Sequence, residues 1–209
     1  MSDWNLYFCA FRTNMNYLAH LHLSANSEPI MLGNFIADAV KGKQLLRFSP
    51  GIQQGILIHR AIDSFTDKHE LVREGKSRLY PVLGKFAGVG IDLFYDFFLS
   101  VYWTRYSMVE KQEFIRHAYR LLVANYPVMP PKMQHLLPFF VVSNWLGKYG
   151  TFSGLRQVLR GMGRHTALPA GGDRAVEGLE TYYVQYEQEF LDFFPLLKDY
   201  LTKSFSLDF

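Results

Sequence analysis

The chain has 209 residues, 49% of them apolar and 16% aromatic, with one cysteine and a formal net charge of +3. That is ample material for one substantial core, and it excludes a disordered chain. So slight a positive charge leaves no footprint for nucleic acid, and the lone Cys9 excludes an intramolecular disulfide.

Helical periodicity runs through the chain, strand-like alternation is scarce, and no Gly-rich phosphate loop occurs. The opening "MSDWNLYFCAFRTN" lacks the basic start and long apolar stretch of a secretion signal, so the chain reads as cytoplasmic. In "MNYLAHLHL", His20 and His22 are two apart, and on a helix their side chains diverge by about 200°. The pattern predicts a helix over residues 28–40, entered at Pro29 and ended near Gly42. Ser49-Pro50 begins the next, to about Asp67, because proline suits a first turn. A further helix covers 70–82, and "GKFAGVG" from Gly84 loosens the chain. Residues 91–102, "IDLFYDFFLSVY", are apolar nearly all round and mark a buried helix.

Helices are then expected over 110–125, 132–149 and 153–162, with a turn at "PVMPP". The greasiest run, "LLPFFVVSNWL" from Leu136, falls short of the roughly 20 apolar residues a membrane span needs. "HTALPAGG" from His165 is a loop, and Asp173 opens one last long helix carrying Val176, Leu179, Tyr183, Tyr186, Phe190, Phe194 and Leu197 at helical spacing. Pro195 is a candidate kink in it. The reading is all-α: a single compact domain of about seven to nine helices.

Asp92 and Asp96 lie one turn apart inside the apolar helix. Two buried like charges cost several kcal/mol each unless a shared proton, a basic partner or a cation compensates them. Asp38, in "MLGNFIADAV", has the same character. His59 and Asp63 in "GILIHRAIDSFTDKHE" are spaced to offer a nitrogen and an oxygen to one point, beside a stripe of Ile58, Ile62 and Phe65. Asp67 continues that line and reads as a solvated edge. Carboxylate oxygen with imidazole nitrogen suits a divalent metal. The residues alone leave other readings open: a hydrogen-bonded His59, and Asp92 or Asp96 capping a neighbouring helix or pairing with arginine. Arg60, Lys41 and Arg164 either hold a phosphate oxygen or are exposed helix charges. Arg156, Arg160 and Arg164 recur every fourth residue in "GLRQVLRGMGRH" and form either a docking stripe for an acidic partner or a solvated face. Gly161 and Gly163 threaten the helix before Arg164.

Five blocks, "MNYLAHLHLS" at Met15, "GNFIADAVKG" at Gly33, "GILIHRAID" at Gly55, "DLFYDFFLSVYW" at Asp92 and "GLRQVLRGMGR" at Gly154, resemble the acyl carrier protein phosphodiesterase family in order and spacing. The likeness extends from Met15 to about Leu201. It implies an all-α, HD-like fold, similar to a divergent branch of the HD-type metal phosphohydrolases. It also implies hydrolysis of the phosphodiester joining 4′-phosphopantetheine to a serine of the acidic holo acyl carrier protein. The implied cofactor is a divalent metal, typically manganese, with magnesium or iron as alternatives. Carried over by motif, it points to Asp38, His59, Asp63, Asp92, Asp96, His20 and His22 as metal ligands. Asp38, His59, Asp63 and Arg60 become the catalytic set. The chain has no adjacent His-Asp pair, which the wider HD group uses to hold its metal. Residues 1–14 have no counterpart in the family and are expected to be a loosely packed extension ahead of a single domain over 15–209. Two other functions stay open: hydrolysis of another phosphate substrate, such as a nucleotide, and non-catalytic binding.

Overall fold

The structure, a computed structural model, describes residues 17–165 and 172–209, without the side chains of 163–165. The expected extension over 1–14 and most of the predicted "HTALPAGG" loop lie outside the described residues. Among those described there is no strand, and the chain is all-α. Twelve α-helical segments occur among the described residues, nine of them nine residues or longer.

Helix α1 (Tyr17–His22) leads through a turn to α2 (Glu28–Ile36), which continues as a 3-10 turn over Ala37–Ala39. The predicted single helix over 28–40 therefore tightens at Ala37, as helix ends commonly do. A second 3-10 segment, Gly42–Arg47, has no buried residue. Helix α3 (Pro50–Lys68) follows, entered at Pro50 as its sequence predicts. Helices α2 and α3 cross at two glycines from the quoted blocks. A Cβ on Gly33 would lie 2.2 Å from the Ile52 carbonyl oxygen, and one on Gly55 would lie 2.2 Å from that of Ile30. The backbones touch because neither residue has a side chain.

Helix α4 (Glu70–Leu83) ends at Gly84, whose φ of 53° a side chain would strain. The "GKFAGVG" stretch is tighter than expected: helix α5 (Ala87–Val101) starts within it. Ile91, Leu93, Phe94, Phe98 and Leu99 of α5 are fully buried. Aromatics of α12 (Tyr183–Phe205) pack on it, with ring centroids 5.2 Å apart for Phe94–Tyr186 and 5.3 Å for Tyr95–Phe193. Between them run α6 (Trp103–Tyr106), α7 (Lys111–Ala124), α8 (Pro131–Val142), α9 (Trp145–Lys148), α10 (Phe152–His165) and α11 (Gly172–Thr181).

Two predicted long helices are broken. The one over 132–149 divides at Asn144, which takes a left-handed φ of 46°. The last divides at Tyr182 into α11 and α12, while Pro195 stays inside α12. Apolar periodicity continues across both breaks, so it does not betray them. No helix among the described residues is long and apolar enough to cross a membrane.

Candidate metal centre

Three helices bring one group together. His20 comes from α1, His59 and Asp63 from successive turns of α3, and Asp38 from the 3-10 turn after α2. The His20 and His59 rings stack, centroids 4.1 Å apart. His20 Nε2 lies 3.3 Å from Asp63 Oδ1, and His59 Nε2 lies 3.3 Å from Asp63 Oδ2 and 3.4 Å from Asp38 Oδ1. One ligand atom each from His20, His59 and Asp63 falls within 4.8 Å of the others. Both imidazoles are buried, while the Asp38 and Asp63 side chains keep 18% and 25% of their exposure, so one side opens to solvent.

A hydrogen-bond chain decides which nitrogen of His20 carries its proton. The Ser24 hydroxyl donates its only proton to the His20 carbonyl, at 3.0 Å. Its oxygen must then accept from Asn34 Nδ2, at 3.1 Å. That leaves Asn34 Oδ1 facing His20 Nδ1 at 2.9 Å, so Nδ1 is the donor. Burial, and then the His59 charge, push the His20 imidazole down against Asp63 and Asn34, so it stays neutral. Its Nε2 therefore aims a lone pair at a carboxylate oxygen 3.3 Å away. Two acceptors facing each other at that distance repel, and a cation between them removes the repulsion.

His20 Nε2, both nitrogens of His59 and Asp63 Oδ1 are buried without a hydrogen-bond partner. Two imidazole nitrogens with carboxylate oxygen are a donor set that suits a divalent metal. The residues present thus fit the metal that the sequence resemblance implies. Burial alone would lower His59, but Asp38 and Asp63 outweigh it and lift its imidazole to about 10. Burial would likewise raise Asp63, and the His59 cation beside it opposes that, holding the carboxyl below the usual carboxylate range. In the metal-free protein His59 is the cation of the group. Metal and proton compete for it, so metal affinity is expected to rise with pH, by about tenfold per unit between pH 7 and 9. Calorimetry in buffers of different ionisation enthalpy should report close to one proton released per metal bound.

Several residues proposed from the sequence lie elsewhere. His22 points away from His20, as their spacing demands, into Trp103, Phe114 and Phe194, with the nearest ring centroid at 5.1 Å. Burial and Lys198 push it down to about 3, and its place among aromatic rings removes it from the ligand set. Asp96 is also spent. Its oxygens accept from the backbone N–H groups of Leu18 and Ala19, at 3.0 and 2.8 Å, and so cap the helix that carries His20. Asp92 is buried with Oδ2 unpartnered and stands outside the three-residue group. Burial, then the Asp63 charge, push its carboxyl well up. Asp67 pairs with Lys76 at 2.6 Å, on the exposed edge expected of it.

Three of the arginines meet partners within the chain. Arg60 is exposed and donates to the Val40 carbonyl at 2.9 Å, bracing the backbone just beyond Asp38. Arg156 pairs with Glu180 at 3.0 Å and Arg160 with Asp173 at 2.8 Å, both partners on α11. The expected docking stripe is thus neutralised across α10 and α11, and Arg164's side chain lies outside the described residues. Sequence reasoning missed Ser24 and Asn34. The available signal was an asparagine inside the apolar run "IMLGNFI".

Residues 15–197 match the acyl carrier protein phosphodiesterase family. The chain belongs to that family. Among similar proteins bearing the family's name, one from Yersinia enterocolitica is 32% identical over 184 residues, covering 88% of this chain and 95% of the relative. One from Klebsiella pneumoniae is 34% identical over 183 residues, covering 87% and 94%, and one from Photorhabdus laumondii is 31% identical over 189 residues, covering 88% and 94%. No solved structure matches the chain. The family match begins at Met15 and takes in every residue of the His20, Asp38, His59 and Asp63 group.

Proposed function

We propose that this protein is a metal-dependent phosphodiesterase that hydrolyses holo acyl carrier protein to the apo carrier and free 4′-phosphopantetheine. The observation that carries the metal is the His20 Nε2 lone pair facing Asp63 Oδ1 at 3.3 Å, with Nδ1 already committed to Asn34. Family membership carries the substrate. His20, His59 and Asp63 would hold the metal, which we take to be Mn²⁺, with Mg²⁺ or Fe²⁺ as alternatives. When bound, such an ion lowers the pKa of water and neutralises charge building on phosphoryl oxygens.

The remaining work falls to the chain's own residues. Asp38 contacts His59 and is partly exposed, so its carboxylate is placed to take a proton from the attacking water. The P–O bond to the carrier serine breaks, and the serine oxygen receives the proton that water lost. Water and diester thus give a hydroxyl and a phosphate monoester. Ser24 and Asn34 keep the His20 proton on Nδ1, away from the site. The test is incubation of the protein with holo carrier and Mn²⁺, followed by intact-mass measurement. Loss of the 4′-phosphopantetheine mass is expected, and an unchanged holo mass would count against the reading.

A further inference from the structure

A cleft of about 660 Å³ opens beside the metal centre and is used by none of the chemistry above. Its size lies within the range of about 300–1,000 Å³ that holds small-molecule ligands. One wall is the chain that leaves Asp38: Ala39 and Val40 line the cleft, and the carboxylate just before them touches His59. The Arg60 bond to the Val40 carbonyl fixes that wall to the helix carrying His59 and Asp63. The turn over Val128, Met129 and Pro130 and the start of α8, Pro131 and Lys132, also line it.

The lining has two characters. Val40, Ile52 and Met129 give it an apolar floor, while Gln44, Arg47 and Lys132 supply an amide and two cations. The Lys132 ammonium is half-buried, and the Asp38 carboxylate is among the charges that act on it. Lys41, Lys43 and Arg47 are exposed on the adjoining 3-10 segment and make no ion pair among the described residues. This is the unpaired positive surface that the α10 arginines do not provide.

We infer that this cleft receives the 4′-phosphopantetheine arm, with its phosphodiester end at Asp38 and its pantoyl and cysteamine portions along the apolar floor. The inference rests on the proposed function for the identity of the arm. Each part of the arm has a counterpart. Its gem-dimethyl and methylene groups meet Val40, Ile52 and Met129, its amides meet Gln44, and its phosphate meets Lys132 and the metal centre. Arg47 with Lys41 and Lys43 faces the acidic carrier at the mouth.

The test narrows the cleft and reads binding rather than turnover. Ser49 and Val128 line it and are exposed, and the Ser49 side chain caps no helix. The variant S49W/V128W is compared with V142W, a control that adds the same bulk at an 87% exposed position on α8 outside the cleft. Calorimetry with 4′-phosphopantetheine as the probe should give a dissociation constant at least tenfold weaker for S49W/V128W and unchanged for V142W. Melting temperature and bound Mn²⁺ per chain report that each variant is folded. Equal binding by S49W/V128W and wild type, or no binding by wild type at millimolar probe, would overturn the inference. Selective loss of binding in S49W/V128W, with no hydrolysis of holo carrier by wild type, would sustain the cleft and remove the proposed reaction instead.

Discussion

Asp63→Asn is expected to lower turnover of holo carrier at least about a hundredfold, which corresponds to ~2.7 kcal/mol of lost transition-state stabilisation. It should also strip most of the divalent metal from the purified protein. Asp63 is the carboxylate that touches both imidazoles, through Oδ1 to His20 and Oδ2 to His59. Asparagine keeps its shape and removes its charge, so packing is preserved while the donor set is broken. Asp67→Asn, one turn further along α3, is the matched control. Its loss of the exposed pair with Lys76 should cost no more than about 1 kcal/mol of stability and leave turnover within about twofold. Metal analysis of both variants, together with the intact-mass assay, separates these outcomes. Equal losses in the two would mean that negative charge along α3, rather than this group, matters.

Gly55→Ala should be strongly destabilising for a single added methyl. Its Cβ would lie 2.2 Å from the Ile30 carbonyl oxygen and 2.9 Å from Gly33 Cα, both backbone atoms that no rotamer change can move. Overpacking of this kind costs about 1–3 kcal/mol, and a backbone clash belongs at the upper end. Alanine gains up to about 1 kcal/mol in helix propensity, which the clash outweighs. A fall in melting temperature of about 6–12 °C is expected. Metal affinity should fall too, because forcing α2 from α3 parts Asp38 and Asn34 from His59 and Asp63. Gly161→Ala on α10 is the contrast. The nearest atom to its added Cβ is Phe139 Cζ at 4.0 Å, so that variant should be as stable as wild type or slightly more so. Thermal unfolding decides between them, and a Gly55→Ala protein melting with the wild type would refute the backbone crossing.

What could be read in advance follows from how local each signal was. The apolar helix over 91–102 announced its burial because no face of it was polar. The four-residue step from His59 to Asp63 fixed their common direction, and the two-residue step from His20 to His22 fixed their divergence. The destinations were not legible. The apolar surroundings of Asp96 spoke of burial, yet its partners are backbone N–H groups of α1, 77 and 78 residues away in sequence. The spacing of Arg156 and Arg160 was equally plain, but Glu180 and Asp173, which neutralise them, belong to another helix. Helix ends at Asn144 and Tyr182 were hidden because apolar periodicity runs on through both. Gly33 and Gly55 carried no local sign of their contact, since a glycine in a helix marks a close approach only once its neighbour is known.

The proposed reaction depends on His20, His59 and Asp63 holding one catalytic cation. Crystals of the protein grown with Mn²⁺ and measured for anomalous scattering test it most directly. A single strong peak is expected within about 2.0–2.6 Å of His20 Nε2 and an Asp63 carboxylate oxygen, with His59 completing the group. A peak at His22, or none anywhere while the same protein still hydrolyses holo carrier after exhaustive chelation, would contradict it.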